Sequence, residues 1–223
     1  GEGLPAISMA VNLSPRQFLD ANLLGDLDEV LASTGMPAHL LQLEITESMV
    51  MQNVERAIKL LDEIRSRGVR LAIDDFGTGY SSMSLMKKFP IDTIKIDRSF
   101  VLGLAESAED RAIATAIISM GKALGLTVVA EGVETTKQDA FLRGHSCDEV
   151  QGYLFSKPVR PEEIPSLLSP IVSSPSLQPS ELPSSGHVTY QEFEAAHKAC
   201  KLSFDASIAP KGDQVSVGKR ILR

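Results

Sequence analysis

Six short β-rich segments alternate with helical patterns over the first 168 residues, and this alternation constrains the fold more than any other feature. The predicted strands span residues 7–13, 41–46, 70–75, 93–96, 127–130 and 149–155. A repeated order of strand, helix and strand indicates a parallel sheet whose crossover connections are helices. The sequence therefore predicts an α/β protein.

The helices between these strands carry recognisable end signals. Ser14 followed by Pro15 is typical of an N-cap and a first helical residue. Asn53 is predicted to cap a helix whose apolar residues recur every three or four positions until Gly68. Two more helices are predicted at about residues 107–124 and 135–143, and the first of them stops at Gly125.

The strands have one apolar side and one side that becomes polar towards the carboxyl end. In the third strand, for example, Leu71 and Ile73 alternate with Ala72 and Asp74. A doubly wound sheet is covered on both faces, so its strands are nearly continuous apolar runs. The pattern instead favours a TIM-like (β/α) barrel with helices outside and polar groups at its mouth. Since a full barrel needs eight strands, the prediction is an incomplete barrel that contains the last six.

The composition changes after residue 168. Residues 169–186 are rich in serine and proline and predict a linker that cannot build a core. Thr189 and Glu192 resemble a capping box that opens a short helix to about Leu202. The predicted organisation is thus a domain at 1–168, a linker at 169–186 and a tail of unknown role at 187–223.

Charge and cysteine content exclude some functions. The formal net charge is −7, whereas a protein that binds long nucleic acids is normally basic. An acidic chain still binds a small anionic substrate if its carboxylates hold divalent cations. No apolar run approaches the roughly 20 residues of a membrane span. Cys147 and Cys200 lack metal-ligand spacing, which favours a reduced, cytoplasmic setting.

Polar residues stand at the carboxyl ends of all six predicted strands. Taken singly, each of these residues has an ordinary explanation as part of a turn or a solvated strand end. Glu44 and the nearby Glu47 would be explained as surface or helix-start acids. In a barrel, however, they converge on one mouth. Carboxylate and amide oxygens are the ligands of Mg²⁺ or Mn²⁺, and a pair of such ions suits displacement at phosphorus. These residues are Asn12, Glu44, Asp74, Asp75, Lys95, Glu131 and Gln151.

The segment after the third strand is predicted to be a functional loop. Residues 74–82 contain the two adjacent acids Asp74 and Asp75, two glycines and several hydroxyl groups. Glycines permit unusual backbone angles beside the predicted metals. Neither a Walker-type loop nor a G-x-G-x-x-G motif occurs in the sequence.

Six motifs in this order resemble those of EAL domains, over about residues 4–168. They contain Asn12, Glu44, Asp74, Lys95, Glu131 and Gln151, and their sequences are VNLSxxQF, LEITE, DDFGTG, IKID, AEGVE and QGYLF. The resemblance implies a barrel of the EAL type. It also implies hydrolysis of cyclic-di-GMP to the linear dinucleotide pGpG in bacterial signalling, with Mg²⁺ or Mn²⁺ and usually as a homodimer.

The resemblance also implies roles for individual residues. Asn12, Glu44 and Asp74 would bind the first metal, and Asp74, Asp75 and Glu131 would bind the second. Lys95 would contact the nucleophilic water, with Gln151 nearby in the same network. Glu134 would tether the loop from Asp75 to Ser82, which in the family couples metal binding to dimerisation.

The sequence departs from the family at its beginning. The Glu-Ala-Leu segment, with its metal-binding glutamate, is expected upstream of Asn12 and is absent, together with the first two strands. An open barrel exposes sheet edges, and an incomplete metal shell weakens catalysis. Three hypotheses therefore stay open: a cyclic-di-GMP phosphodiesterase, a non-catalytic cyclic-di-GMP-binding module and a protein-interaction scaffold. The parent protein is expected to carry upstream sensory or cyclase domains and could be anchored to a membrane.

Overall fold

A closed barrel of eight strands forms the centre of the computed structural model, which describes residues 7–79, 83–164, 202–208 and 215–221, the last two as backbone. The order around the barrel is β1-β2-β3-β4-β5-β6-β8-β7, and β1 to β6 pair in parallel. The strands are β1 (Ser8–Asn12), β2 (Leu41–Thr46), β3 (Arg70–Phe76), β4 (Thr93–Ile96), β5 (Thr127–Ala130), β6 (Glu149–Gln151), β7 (Leu202–Ile208) and β8 (Val215–Ile221).

Helices connect the first six strands. They are α1 (Pro15–Leu19), α2 (Leu23–Thr34), α3 (Glu47–Gln52), α4 (Val54–Ser66), α5 (Met83–Met86), α6 (Arg98–Leu102), α7 (Ala108–Ala123) and α8 (Thr136–Gly144). Short 3₁₀ turns occur at Ala38–Leu40, Gly103–Ala105 and Pro161–Glu163. Among the helices that the structure describes, none combines the length and apolar character needed to cross a membrane.

The six predicted parallel strands are confirmed, and three of them have the predicted bounds. The main difference is the strand predicted at 149–155, which ends at Gln151. The chain turns there because the amide of Phe155 donates to the carbonyl of Gly152 at 3.0 Å. The apolar run after Gln151 therefore forms a turn instead of continuing the strand.

The predicted helix caps are also confirmed, although α8 includes Gly144 and so ends one residue later than predicted. Ser14 and Thr135 form capping boxes, in which the hydroxyl accepts from the third helical amide and a glutamine side chain accepts from the cap amide. The side chain of Asn53 accepts from the amide of Arg56 at 3.1 Å. Gly125 follows α7 with φ +71°, a left-handed conformation that suits glycine.

The main core lies between the outer face of the barrel and the helices. Ile45, Ile73 and Ile94 are fully buried on that face, and Leu61 and Ile64 of α4 are fully buried against it. Each such side chain contributes about 1.5–3 kcal/mol through burial. The opposite, inward face of the same strands is therefore free to carry the polar groups at the mouth.

Two C-terminal strands that the sequence analysis did not predict close the barrel. β7 pairs in parallel with β1, and β8 pairs antiparallel with both β7 and β6. Ser8 lies opposite Asp205, and Glu149 lies opposite Arg220. The predicted linker and nearly all of the helix predicted from Thr189 lie outside the described residues. The end predicted for that helix, Leu202, is the first residue of β7.

Candidate metal centre

Lys95 lies at the centre of the polar groups in the mouth of the barrel. Its Nζ is 2.6 Å from Glu44 Oε2, 2.7 Å from Glu131 Oε1 and 3.2 Å from Asp74 Oδ1. The three acids come from β2, β3 and the end of β5, and the lysine comes from β4. Lys95 and Glu44 are almost completely buried. Four neighbouring strands thus bring the predicted residues together.

The acids in this cluster outnumber the lysine. Asp74, Asp75 and Glu131 each place one carboxylate oxygen within 4.8 Å of the others. Together with Glu44 they make four carboxylates against one ammonium group. Uncompensated buried charge is costly, and an oxygen-rich set of this kind is the ligand type of Mg²⁺ or Mn²⁺. The donor set therefore fits a divalent cation.

The pKa values of the cluster reflect burial and mutual repulsion. Burial raises the pKa of Glu131 to about 7, a rise that the charge of Asp74 reinforces and that of Lys95 opposes. Burial, followed by the charge of Asp74, also raises the pKa of Asp75. For Lys95, burial disfavours the ammonium form, but the surrounding carboxylates outweigh it and raise the pKa above its ordinary value. Lys95 therefore stays charged.

A local irregularity in β3 allows two adjacent acids to serve the same site. Successive residues of a regular strand point to opposite faces. The register between β3 and β4 shifts between Ile73 and Phe76, and Asp75 has φ +54°. The side chain of Asp74 also accepts from the amide of Asp75 at 3.0 Å. This break in the alternation lets Asp75 join Asp74 at the mouth.

The remaining two predicted site residues lie at the margins of the cluster. Asn12 ends β1 opposite Glu44, and it is exposed. Gln151 ends β6 and lines a cavity that Glu131 also lines. Their predicted roles as a ligand and as part of the water network stay predictions.

Glu47 anchors the described part of the loop after Asp75. Its side chain is buried, and its Oε2 accepts from the amides of Gly77 at 3.1 Å and Gly79 at 3.3 Å. Glu47 also begins α3, which agrees with its interpretation as a helix-start acid. A Cβ at residue 79 would lie 2.6 Å from Glu47 Oε1, so the close approach requires glycine.

Glu134, predicted to tether this loop, contacts Arg98. Arg98 Nη2 donates to Glu134 Oε1 at 2.6 Å, at the edge of the mouth. Residues 80–82 lie outside the described residues, so the tethering role of Glu134 stays a prediction.

Asp97 is a second residue whose position the sequence analysis did not use. It caps α6 by accepting from the amide of Ser99 at 2.9 Å, and its carboxylate helps to raise the pKa of Asp75. Its place directly after β4, two residues beyond Lys95, is the sequence signal that could have indicated it.

Comparison with known proteins identifies the family. The family model described as "EAL domain" matches residues 2–158. The chain belongs to the EAL domain family. A solved structure, the EAL domain of Mycobacterium smegmatis DcpA, superimposes with a TM-score of 0.69 at 42% identity, over 73% of each chain. The EAL resemblance and the (β/α) barrel with six parallel strands are therefore confirmed.

Named relatives of this EAL domain include cyclic-di-GMP proteins. The cyclic di-GMP phosphodiesterase NbdA of Pseudomonas aeruginosa is 46% identical over 157 residues, which are 70% of this chain and 20% of NbdA. A manganese/cyclic-di-GMP complex of Klebsiella pneumoniae BlrP1 superimposes with a TM-score of 0.63 at 36% identity, over 67% of this chain and 38% of that one. The chain spans about a fifth of the length of the curated relatives that it matches.

Proposed function

We propose that this EAL domain hydrolyses cyclic-di-GMP to the linear dinucleotide pGpG with Mg²⁺ or Mn²⁺, as part of bacterial second-messenger signalling. The observation that carries the proposal is the cluster of acids at the mouth: Glu44, Asp74 and Glu131 contact the buried Lys95, and Asp74, Asp75 and Glu131 each place one carboxylate oxygen within 4.8 Å of the others. The name of NbdA and the BlrP1 complex support the choice of substrate and metal.

The proposed metal ligands follow the strand ends around the mouth. Asn12, Glu44 and Asp74 would hold one ion, and Asp74, Asp75 and Glu131 would hold the other. When bound, the ions would polarise the phosphodiester and lower the pKa of a coordinated water. Asp74 belongs to both proposed sets and would therefore contact both ions.

The chain's own polar groups position the reactants. Lys95 stays protonated and would donate a hydrogen bond to the attacking water. The positive charge of Lys95 would offset the negative charge of the phosphate. Glu131 holds Lys95 Nζ at 2.7 Å and so fixes the direction in which the ammonium points. Gln151, on the wall of the adjoining cavity, would add an amide donor or acceptor to the same water network.

The loop after Asp75 is the proposed contact between two copies in a homodimer, with Glu134 as a further tether for it. The parent protein would add sensory or cyclase domains upstream and would expose this domain to the cytoplasm. Light scattering of the purified chain tests the dimer, which requires a mass close to twice 24.0 kDa.

Chromatography of cyclic-di-GMP incubated with the purified chain and Mn²⁺ tests the activity, beside a Glu131→Gln control. Formation of pGpG by the chain and not by the control supports the enzyme. Absence of product from both overturns hydrolysis by this chain. In that case, retained binding of cyclic-di-GMP would favour the non-catalytic binding module.

A further inference from the structure

The C-terminal hairpin, formed by β7 and β8, joins the rest of the barrel along two strands. β7 pairs with β1, and β8 pairs with β6. Without the hairpin, β1 and β6 are the two edges of a six-strand sheet. The backbone groups of such an edge pair with extended segments of almost any sequence. A further feature is therefore needed to select the segment that closes the barrel and to fix its register.

Glu149 brings a buried carboxylate to the β6 edge. The residue is 6% exposed, and with Gln151 it occupies the alternate positions of β6 that face the inside of the barrel. The antiparallel register between β6 and β8 places Arg220 opposite Glu149. A buried carboxylate is costly unless an opposite charge accompanies it, so this edge favours a strand with a cation at that register position.

Other registers of β8 lose this charge match. A shift by two residues keeps every residue on its own face but brings the uncharged Gly218 or Leu222 opposite Glu149. A shift by one residue exchanges the two faces of the whole strand. The register found in the structure is therefore the one that combines the observed faces of β8 with a cation opposite Glu149.

A second charge match occurs at the β1 edge. The guanidinium of the half-buried Arg70 donates to the hydroxyl of Ser8, and Arg70 Nε is buried without a hydrogen-bond partner among the described residues. The register between β1 and β7 places Asp205 opposite Ser8. Asp205 is the single charged residue of β7, and a shift by two residues would bring Ser203 or Ser207 to its place. The one acid of β7 is thus set beside the edge that holds a cation.

We propose that these two charge matches select the C-terminal hairpin as the segment that closes the barrel and fix its register. The β6 edge accepts a strand with a cation opposite Glu149, and the β1 edge accepts a strand with an anion opposite Ser8, beside Arg70. Because the two edges require opposite charges, a hairpin inserted with β7 and β8 exchanged would bring like charges together. The charge matches therefore distinguish the two edges from each other, independently of any catalytic activity.

Exchange of the charges between β6 and β8 tests the proposal in the full chain. Glu149→Lys and Arg220→Glu each place like charges opposite each other. Each is expected to lower the folding equilibrium constant in urea unfolding by roughly 100- to 3,000-fold, the effect typical of a buried charge that loses its counter-charge. The double variant restores opposite charges and should return to within about tenfold of the unsubstituted chain. Arg220→Lys keeps the charge and should also stay within about tenfold.

Lys219→Glu is the matched control, because Lys219 is the neighbouring cation of β8 and lies opposite the apolar Val150. It should change the folding constant by less than about fivefold, and it should not rescue Glu149→Lys. If the single variants do not fold, a folded double variant supports the match and an unfolded one overturns it. An effect of Arg220→Glu as small as that of Lys219→Glu also overturns it.

A cycle of Asp205→Asn and Arg70→Gln tests the β1 edge. Each variant is expected to lower the folding constant by about tenfold or more, since a charged partner is lost. The double variant should lower it by clearly less than the product of the two single effects, because both changes remove the same interaction. Single effects that multiply independently would overturn the charge match at this edge.

Discussion

Lys95→Met tests whether one lysine balances the acids at the mouth. Nζ of Lys95 lies 2.6–3.2 Å from three carboxylates, and Lys95 is buried. Methionine keeps the length of the side chain and removes the charge. Loss of one partner of a buried ion pair typically costs about 3–5 kcal/mol, because the other charge is left uncompensated. We expect this loss of unfolding free energy in the metal-free protein at about pH 8.

The sign of the pH dependence follows from the carboxylates. Without Lys95, whose charge lowers it, the pKa of Glu131 in the folded protein rises further above that in the unfolded chain, which is about 4.3. The folded state then binds more protons than the unfolded state, so stability falls as the pH rises through this interval. The destabilisation is therefore smaller at about pH 5 than at about pH 8, and added Mn²⁺ should reduce it.

Urea unfolding with a chelator, at both pH values and again with Mn²⁺, measures these differences. Lys122→Met is the matched control, since Lys122 forms a partly exposed pair with Asp148 and should cost no more than about 1 kcal/mol. A loss of unfolding free energy for Lys95→Met as small as that of the control at about pH 8 would contradict the proposed charge balance. A loss that grows towards about pH 5 would contradict it as well.

Three further predictions concern the loop, the metal and the tail. Glu47→Ala should speed amide hydrogen exchange at Gly77 and Gly79 by about tenfold or more, because a hydrogen bond to a charged acceptor contributes roughly 1.5–3 kcal/mol; unchanged exchange would contradict the anchor. Calorimetry should find Mn²⁺ affinity rising with proton release between about pH 5.5 and pH 8.5, because the pKa of Glu131 is raised to about 7 and cation binding requires its ionised form. An affinity independent of pH would argue against Glu131 as a ligand. Truncation after Ile164 removes β7 and β8, so light scattering should detect association through the exposed edges of β1 and β6; a monodisperse monomer would show that closure is dispensable.

Much of the candidate site was predictable from two properties of the strands. Side chains alternate between the two faces of a strand, and parallel strands end at the same side of the barrel. Glu44, Asp74 and Lys95 occupy the alternate positions of their strands that face the inside of the barrel, at the end that forms the mouth. Neither inference needs a side-chain position. The same alternation distinguished a barrel from a doubly wound sheet, and the six strands and their helix caps are where these local patterns predicted.

The remaining features depend on contacts between distant segments. In a regular strand Asp75 would face the outside of the barrel. It joins the site only because the register between β3 and β4 shifts before Phe76. Glu47 looks like any helix-start acid until the loop of Gly77 folds onto it. β7 was not predicted although apolar and polar residues alternate from Leu202 onwards. Nothing local in that segment indicates the distant strand with which it pairs.

The antiparallel direction of β8 determines where other protein segments can be attached. β1 starts beside β7 at Ser8, and β8 finishes at Ile221 opposite Leu202, the first residue of β7. The described chain therefore enters and leaves at the same rim, the one opposite the acid cluster. A domain fused at either end is attached at that rim and leaves the mouth of the barrel, the proposed substrate entrance, uncovered. Affinity tags at both termini should likewise leave the mouth, and with it the proposed cyclic-di-GMP site, unobstructed.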